Sequence, residues 1–598
     1  MMNAYKSRQD VPSEHTWDLR DIFGDMEEWE DQFKKVEASI DEIRAFQGNI
    51  HSSGDLLAYL KKGEEVSSLF QPLYAYCRLQ LDLDTRDSEA QSLLDRASRL
   101  SVQLSEARSF FMPFLLSLEE ETLKRFISEQ ESLGYFEESL LESYRYRQHV
   151  LTGEQEELLS KLGEALAVPG KTFNMMNNAD IKFGDVTDQD GRKVELTRGM
   201  YSKLMEDENR GVRKEAYQAY YQPYKQLKNS IASTLAGNIK NNAVLSKIRK
   251  YPTSLEKALF GDKVPKIVYE NLIESTKNHI APLHSYNALR KELLGLDTLA
   301  PYDQSVDLVK GVKREISFDE AYETMLKALS PLGDDYIENL RSFKEKRYID
   351  VWETPGKRSG AYNLGLYGVH PFVLLNHRND LNSLFTLAHE MGHAMHSYYS
   401  SKQQPRISAG YSIFVAEVAS TVNEVLLIRH LLSESKEKDL KKYLLNHFID
   451  QFKGTFFTQV MFAEFEKITH ELAEEGKPLN AEVFNDIYEK LTKDYNGESL
   501  EICEEVKYGW TRIPHFYRPF YVYKYATGFA SALYIADHLL HGGEGFQKDY
   551  LTFLQSGSSD YPLELLKKTG VDLSGPDPID NALKQFKELV EEFLKLNE

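Results

Sequence analysis

Cysteine is almost absent from this chain. The 598 residues include only Cys77 and Cys503, which are too few for a disulfide-stapled scaffold. Isolated thiols of this kind are most often small apolar residues of a core. The sequence therefore predicts a fold without structural disulfides and favours a reducing compartment.

Long apolar runs are also missing. No stretch of about 18 consecutive apolar residues occurs, so we predict no helix that spans a membrane. The first ten residues have no apolar segment of the kind that a secretion signal requires. Together with the scarcity of cysteine, these absences predict a cytoplasmic protein.

Basic residues are outnumbered by acidic ones. The chain has 72 Lys and Arg against 93 Asp and Glu, and its formal net charge is −21. Because no basic domain offsets this excess, the charge argues against nucleic acid and anionic membranes as partners, and we expect neither. A hydrophobic content of 41% with 28% charged residues is typical of soluble globular proteins, and the length suffices for more than one domain.

Most of the sequence shows helical periodicity. Long amphipathic stretches rich in Leu, Glu, Lys, Ala and Tyr predict a mainly α fold. We predict helices over residues 29–46, 54–79, 88–117 and 119–129, with helical character continuing over 140–166 and resuming over 200–246. No internal repeat of fixed period is present, which argues against a solenoid.

The helical pattern is interrupted after residues 168–170 (VPG). Residues 181–186 alternate like a strand, residues 188–191 (DQDG) supply a turn, and residues 193–197 resemble a returning strand, so a β-hairpin is predicted. We place a soft domain boundary here. The predicted domains are an N-terminal helical region over 1–112, a helical segment ending in the hairpin over 113–198, and a catalytic domain over 199–598.

A second strand-like region covers residues 359–365 and 370–376. Both segments are too short and too rich in aromatic or β-branched residues for helices. An exposed edge strand here would pair with an extended peptide through backbone hydrogen bonds, and Gly360, Ala361 and Tyr362 are the candidate residues for that role. An equally good interpretation is that these residues only complete a small sheet.

The pentapeptide HEMGH (residues 389–393) carries the most specific chemistry. On a helix, His389 and His393 project from one face and can both reach one tetrahedral Zn²⁺. Glu390 would then lie beside the open coordination position, where it can act as general base towards a metal-bound water. The sequence therefore predicts one zinc ion per chain.

Asp380 is a suitable N-cap for this helix, which we predict from about Leu381 to Tyr399. A core-facing stripe follows from Leu384, Leu387, Ala388, Met391 and Met395. A third histidine ligand of the extended motif would require Gly at the position of His396 and His at that of Tyr399, so that subclass is excluded. We expect His396 to be a satisfied core histidine or a partner of a ligand.

The third metal ligand must therefore come from elsewhere in the chain. Glu417 and Glu424 lie seven residues apart on one face of an apolar stretch that is predicted to be helical. Carboxylates in such a helix are costly unless a cation or a metal compensates them. We predict Glu417 as the ligand of a His₂Glu site and Glu424 as the acceptor for an imidazole N–H of a ligand.

At this point a family resemblance is visible. The chain resembles the M3 family of zinc oligopeptidases, most closely oligoendopeptidase F, and the likeness extends over nearly its whole length. It is carried by HEMGHAMH (389–396), FVAEVASTVNE (414–424) and RIPHFYRPFYVYKYATGFASAL (512–533), with further similarity at residues 17–19, 357–361 and 570–572.

The resemblance implies a mainly α, elongated, two-lobed metallopeptidase of the zincin type, with a deep substrate channel and a small β-sheet near the HExxH helix. It also implies internal cleavage of short peptides and the exclusion of folded proteins. It assigns His389, His393 and Glu417 to the zinc and Glu390 to the role of base, in agreement with the assignment from the residues.

Residues 514–525 are crowded with aromatic side chains. By composition they resemble an aromatic core, although polar tips on aromatic rings also suit the wall of a peptide channel. In the family that the chain resembles, a His and several Tyr of the matching segment hold the substrate carbonyl and the oxyanion. His515 matches that His, and Tyr521 and Tyr525 match two of the tyrosines, while a third position coincides with Gly528. The choice among the tyrosines, Tyr517 included, is open.

Two other functions are compatible with these motifs. A carboxypeptidase-type enzyme would need a cation that grips a free carboxylate, and Arg406, Arg512 and Arg518 are the candidates by proximity. A helical peptide-binding scaffold with a vestigial metal site would be the second alternative. The ligand set itself would also accept Mn²⁺ or Co²⁺.

Overall fold

The computed structural model describes residues 5–309 and 314–598. The chain forms two compact units, each assembled from separate segments. The first unit comprises Met1–Val150, Lys313–Leu427 and Ala536–Thr569, and the second comprises Leu151–Val312, Ile428–Ile535 and Gly570–Glu598. The predicted boundaries at residues 112 and 198 stay a prediction.

Helices dominate both units, as predicted. The N-terminal helices are α1 (Met26–Arg44), α2 (Ser53–Leu83), α3 (Ser88–Arg108), α4 (Phe111–Ser117), α5 (Glu120–Glu129), α6 (Glu137–Tyr144), α7 (Gly153–Leu166), α8 (Val168–Met175), α9 (Arg198–Met205), α10 (Arg210–Ile248), α11 (Ser254–Phe260), α12 (Lys266–Asn278) and α13 (Ala281–Leu293). The later helices are α14 (Phe318–Ala328), α15 (Asp334–Glu345), α16 (Leu381–Gln403), α17 (Ile413–Glu434), α18 (Lys438–Phe452), α19 (Thr458–Glu474), α20 (Ala481–Asn496), α21 (Tyr523–His541), α22 (Gly543–Leu554), α23 (Pro562–Lys567) and α24 (Asp577–Asn597). Within the described residues, no helix is both long and apolar enough to cross a membrane.

Two of the predicted helices are interrupted. The helix predicted over 88–117 ends at Arg108 and restarts at Phe111, because Pro113 is tolerated in the first turn of a helix but not in its interior. The helical character predicted over 140–166 changes at Tyr144 to a 3₁₀ segment, Arg145–His149, and breaks before α7, where Thr152 and Gln155 form a capping box.

The predicted hairpin is confirmed in the second unit. Strands β1 (Asp185–Thr187) and β2 (Lys193–Glu195) pair antiparallel, with Val186 opposite Val194. The turn between them includes Gly191 at φ +77°, a left-handed conformation that glycine adopts without steric cost.

A three-stranded sheet lies beside the HEMGH helix α16, which confirms the predicted small sheet. Its strands β3 (Ile349–Trp352), β4 (Tyr362–Leu364) and β5 (Phe372–His377) have the order β3-β5-β4. β3 pairs parallel to β5, and β4 pairs antiparallel to it. β4 is therefore an edge strand, as the interpretation of residues 359–365 requires.

The first unit has a large apolar core among its N-terminal helices. Trp29, Val36, Leu56 and Cys77 are fully buried within it. A smaller cluster joins Trp17 to the sheet. The prediction that Cys77 is a core residue is therefore confirmed, and burial raises the pKa of its thiol to about 12.

Lys357 is buried and joins strands β3 and β5. Its Nζ lies 2.7 Å from Asp350 Oδ1, 2.7 Å from the carbonyl oxygen of Trp352 and 2.6 Å from that of Leu375.

The Lys357→Ala variant should lose about 3–5 kcal/mol of unfolding free energy, because it leaves the buried carboxylate of Asp350 without one of its partners. Denaturant unfolding monitored by circular dichroism would measure this loss. Lys124→Ala removes an exposed pair with Glu120 and should leave the unfolding free energy almost unchanged; equal losses in the two variants would contradict the structural role of Lys357.

Candidate metal centre

Helix α16 begins as the sequence predicts. The side chain of Asp380 accepts a hydrogen bond of 2.8 Å from the backbone N–H of Ser383 and caps the helix. The helix continues to Gln403, one turn beyond the predicted end, because no residue before Pro405 interrupts it. The predicted core-facing stripe is fully buried: Leu384, Leu387, Ala388, Met391 and Met395.

The structure brings three of the predicted ligand side chains together within the first unit. The Nε2 atoms of His389 and His393 lie 3.2 Å apart. Oε2 of Glu417 lies 3.6 Å from the first and 3.8 Å from the second. In a tetrahedral zinc site with bonds of about 2.0–2.1 Å, the ligand atoms are separated by about 3.3–3.4 Å. Small movements of Glu417 would therefore suffice for this trio to hold a metal ion, and the donor set suits zinc.

Glu424 lies on the other side of the His389 ring. Nδ1 of His389 and Oε1 of Glu424 form a short hydrogen bond. Donation from Nδ1 leaves the Nε2 lone pair directed at the ligand cluster. Burial by itself lowers the pKa of His389, but the hydrogen bond to Glu424 and the negative charges of Glu424, Glu390 and Glu417 together outweigh it and raise the pKa to about 9. A metal ion at Nε2 would take the place of a proton there.

Burial acts without such a partner on His393. It lowers the pKa of this imidazole to about 3, so His393 is neutral at physiological pH and its lone pair is available to a metal. The two histidines thus differ in electrostatic environment although they are one helical turn apart.

Glu390 is buried on the same helix. It is 7% exposed, and burial raises the pKa of its carboxyl to about 7. Its carboxylate accepts a hydrogen bond from the backbone of Asn363 in the edge strand β4. Glu390 therefore joins the HEMGH helix to the strand that we predict as a substrate-binding edge.

The candidate substrate residues lie at and just before β4. Gly360 has φ +84°, and its carbonyl oxygen accepts a hydrogen bond of 2.7 Å from Asn376. The hydroxyl of Tyr362 donates to Asp82 at 2.8 Å. Gly360 and Tyr362 are thus held in place by their own unit, which leaves Ala361 and the outer edge of β4 for contact with a peptide. Their role in binding substrate stays a prediction.

Gly392 determines how closely helices α16 and α17 approach. A Cβ atom at this position would lie 2.5 Å from Cα of Ser420 and 2.7 Å from the carbonyl oxygen of Ala419. The same two helices are joined where Nδ2 of Asn423 donates to the carbonyl oxygen of Ala388 at 3.1 Å. Gly392 is not among the predicted site residues, although a glycine inside a helix indicates close packing.

The Gly392→Ala variant should separate the helix that carries the histidines from the helix that carries Glu417. We expect a loss of about 1–3 kcal/mol of unfolding free energy, because the clash is with backbone atoms that no side-chain rotation relieves. We also expect weaker metal binding, which competition with a chromophoric chelator would measure. Gly163→Ala on α7 is the control, since a Cβ there meets nothing within 4 Å and should stabilise the helix. Unchanged metal affinity in Gly392→Ala would contradict this account.

His396 is a core residue, but the expectation that it is satisfied is wrong in part. Its ring is almost fully buried and stacks on Tyr411, with ring centroids 3.7 Å apart. Nδ1 of His396 has no hydrogen-bond partner among the described residues. Burial lowers the pKa of His396 to about 3, so the ring is neutral. Its unpaired Nδ1 therefore carries no charge, and the ring packs against Tyr411 by stacking.

Tyr411 is a residue near the cluster that the sequence analysis missed. Its hydroxyl lies 3.3 Å from the carbonyl oxygen of His393 and 2.8 Å from Oγ of Ser397. Burial raises the pKa of this phenol to about 12, so it remains a hydrogen-bond donor. It lies between α16 and α17, and no periodic pattern marks it.

The predicted His515 segment belongs to the second unit. Nδ1 of His515 and the hydroxyl of Tyr521 form a short hydrogen bond, and Tyr521 also bonds to Tyr525. Burial lowers the pKa of His515 and raises that of Tyr521 to about 12. The structure therefore groups the three predicted residues into one hydrogen-bonded cluster, while their catalytic roles stay predictions.

Two other tyrosines of this segment pack against neighbouring side chains. Tyr517 stacks on Phe173 with centroids 4.2 Å apart, and its hydroxyl lies 2.7 Å from Oγ1 of Thr234. Tyr523 is fully buried. The structure thus distinguishes the packed tyrosines of this segment from the trio of His515, Tyr521 and Tyr525. The composition of the segment does not predict which tyrosines belong to which group.

A buried carboxyl group shapes the turn that carries this trio. Phe520 has φ +58°, and its backbone N–H donates to Oε1 of Glu466 at 3.1 Å. A left-handed conformation is costly for a bulky residue and persists only where the surroundings hold it. Glu466 on α19 provides that support, and the sequence analysis did not identify it.

Comparison with known proteins places these features in context. Residues 203–585 match the model of Peptidase family M3, and residues 115–183 match that of Oligopeptidase F. The chain is 41% identical to oligopeptidase PepF of Bacillus subtilis (strain 168), over 99% of its own length and 89% of the relative's.

Solved structures are similar over the same extent. The oligoendopeptidase-F structure from Enterococcus faecium is 33% identical, with a TM-score of 0.74 that covers 95% of this chain and 99% of the other. A structure from Chlamydophila abortus is 32% identical, with a TM-score of 0.92 that covers 99% of this chain and 100% of the other.

Proposed function

Because the chain belongs to peptidase family M3 and is a metallo-oligopeptidase, we propose that it is a zinc-dependent endopeptidase that cleaves internal bonds of short peptides. The observation that carries the proposal is the cluster of His389, His393 and Glu417, whose ligand atoms all lie within 4.8 Å of one another. The activity of the family requires a peptide as substrate. We infer that the role of this protein is the turnover of short peptides inside the cell.

The three side chains of this cluster would hold one zinc ion. Two imidazole nitrogens and one carboxylate oxygen form the donor set of catalytic zinc sites that keep one position open. When bound, the zinc would lower the pKa of a water ligand to about 7 and polarise the scissile carbonyl. Glu424 would orient His389 through the Nδ1 hydrogen bond.

Glu390 is proposed as the general base. Its carboxyl has a pKa of about 7 because it is buried, which suits a group that must both accept and release a proton near neutral pH. It would accept a proton from the attacking water at its carboxylate and pass it to the leaving amine. Its hydrogen bond to the backbone of Asn363 fixes its position relative to β4.

We propose that a peptide substrate pairs with the outer edge of β4. An edge strand offers unpaired backbone groups that an extended peptide can bind without regard to its side chains. Ala361 lies beside this edge, between Gly360 and Tyr362, whose own bonds hold the strand in place. This mode of binding would favour extended short peptides over folded proteins.

His515, Tyr521 and Tyr525 are proposed as donors to the oxyanion that forms on the substrate. Tyr521→Phe should lower kcat by about 10²–10³, the usual cost of losing one such donor, and should leave the zinc content unchanged. Steady-state kinetics and elemental analysis of the same preparation would test this. Tyr517→Phe is the matched control, because Tyr517 is bonded to Thr234 within its own unit. Full activity in Tyr521→Phe would indicate that Tyr525, not Tyr521, donates to the oxyanion.

The type of cleavage can be tested with two peptides. A peptide of about eight residues, blocked at both ends, would be incubated with the protein and its products identified by mass spectrometry. The twin peptide has a free C-terminus. We expect internal cleavage of both, and cleavage of the free peptide alone would establish the carboxypeptidase-type alternative.

Arg406 is poorly suited to bind the terminal carboxylate of a peptide, because it already pairs with Glu64 and stacks on Tyr367.

A further inference from the structure

Arg512 in the second unit is a cation without an anionic partner. It ends a 3₁₀ segment, Glu504–Arg512, that follows α20. Nε of Arg512 donates to the hydroxyl of Tyr221 at 2.8 Å, and the guanidinium lies over the same ring. Among the described residues, no further hydrogen bond or ion pair engages its two terminal nitrogens. A guanidinium has five N–H donors in a planar fork, so most of its capacity is unused.

Two of the tyrosines near Arg512 are neutral at physiological pH. Burial raises the pKa of Tyr217 and of Tyr488 well above the usual range for phenols. These side chains therefore provide dipoles and aromatic faces but no negative charge. Arg512 has no countercharge among these groups, and an anionic ligand would supply one.

Arg512 lines a cavity of about 380 Å³ that lies wholly within the second unit. Its aromatic wall includes Tyr201, Tyr217, Tyr221 and Tyr488, and its apolar wall includes Met461, Leu500 and Val506. A volume of this order is within the usual range for small-molecule sites, which combine apolar walls with a few fixed polar groups. We call this space the Arg512 cavity.

The charge of the Arg512 cavity selects the ligand. Arg512 is the one basic residue of the lining, and Glu206 is the one acidic residue. No ion pair joins the two among the described residues. A carboxylate matches the geometry and the charge of a single guanidinium fork. The apolar wall favours a carboxylate that carries an apolar or aromatic side chain.

We infer that the Arg512 cavity binds the free α-carboxylate of an apolar or aromatic residue, either as a single amino acid or as the C-terminus of a short peptide. The carboxylate would accept hydrogen bonds from the two terminal nitrogens of Arg512, and the side chain would pack on the tyrosine rings. The inference rests on the proposed function only where it names short peptides as a source of this carboxylate. The carboxylate chemistry follows from the cavity itself.

The test is isothermal titration calorimetry of the full-length, zinc-loaded protein with N-acetylphenylalanine and with its amide. Neither compound contains a bond between two amino acids, so cleavage between residues does not disturb the titration. We expect the carboxylate to bind about 10- to 100-fold more tightly than the amide, the usual contribution of a charge-assisted pair. Arg512→Gln should remove that difference. Phenylalanine itself, titrated in parallel, separates a site for amino acids from a site for peptide ends.

Two further variants guard against a folding defect. Ser202→Trp obstructs the rim of the cavity from an exposed position on α9 and leaves Arg512 unchanged; it should weaken binding of the carboxylate. Arg192→Gln alters an exposed arginine of the hairpin turn and should have no effect. Equal affinity for acid and amide, full binding in Arg512→Gln or Ser202→Trp, or loss of binding when zinc is removed would overturn the inference.

The same preparations are assayed on the peptide blocked at both ends. A protein that cleaves this peptide but fails to prefer the carboxylate overturns only the Arg512 cavity as a ligand site. A protein that prefers the carboxylate but cleaves no peptide overturns only the proposed function.

Discussion

Replacing Glu390 with glutamine is expected to lower kcat by about 10²–10⁴-fold, the usual contribution of a general base. Glutamine has nearly the same size, so it can keep the packing of this buried position, and its amide oxygen can still accept the hydrogen bond from Asn363. It cannot take a proton from water at neutral pH. The loss should therefore fall on kcat, while KM and zinc content change little.

Steady-state kinetics on the blocked peptide, with elemental analysis of the same sample, would measure both effects. A variant with wild-type kcat would exclude Glu390 as the base. A variant that lost its zinc would show that Glu390 supports the metal directly, which the present assignment does not predict.

Replacing Glu417 with alanine should have the second large effect, the loss of zinc and of activity together. The carboxylate of Glu417 supplies one of three ligand atoms, and it lies 3.6 Å from Nε2 of His389. Two imidazoles alone give a weaker and more open site. We expect the affinity for zinc to fall by more than about 100-fold, beyond the loss that removal of a ligand's hydrogen-bond partner causes.

A graded pair of variants sharpens this prediction. Glu424→Gln keeps the ligands but weakens the acceptor of the His389 N–H, so its affinity for zinc should fall by about 10- to 100-fold. Glu434→Gln changes an exposed carboxylate at the end of the same helix and should leave zinc affinity unchanged. If Glu424→Gln lost more zinc than Glu417→Ala, the two carboxylates would have to exchange roles.

The parts of the fold that could be predicted are those with local causes. Helical periodicity, the cap at Asp380 and the turn at Gly191 act over a few residues, and the structure has helices α1, α2, α10 and α16 and the hairpin where they were predicted. The breaks before α4 and α7 were not predicted, because the hydrophobic periodicity of the sequence continues through them although the helix is interrupted.

The metal cluster could be predicted because its spacing is dictated by helix geometry. His389 and His393 are one turn apart on α16, and the apolar surroundings of Glu417 made a partner necessary. The contact between Glu424 and His389 followed from the same reasoning. These residues lie close in sequence, so few tertiary contacts are needed to bring them together.

The residues that could not be predicted depend on contacts between distant segments. Gly392 matters only because α17 passes within contact distance of α16. Glu466 acts through a turn that is more than fifty residues away, and the unused donors of Arg512 become apparent only when its neighbours are known. One sequence shows the chemistry of such side chains but not their partners.

The most direct test of the central claim is a zinc titration of the metal-free protein that follows bound zinc and turnover of the blocked peptide together. The protein would first be stripped with a chelator, and zinc would then be restored in steps. We predict that turnover is absent without metal, rises in proportion to bound zinc, and reaches its plateau at one zinc per chain. Turnover that persists in the metal-free protein, or that does not follow occupancy of a single site, would contradict the assignment of His389, His393 and Glu417 as a catalytic zinc centre.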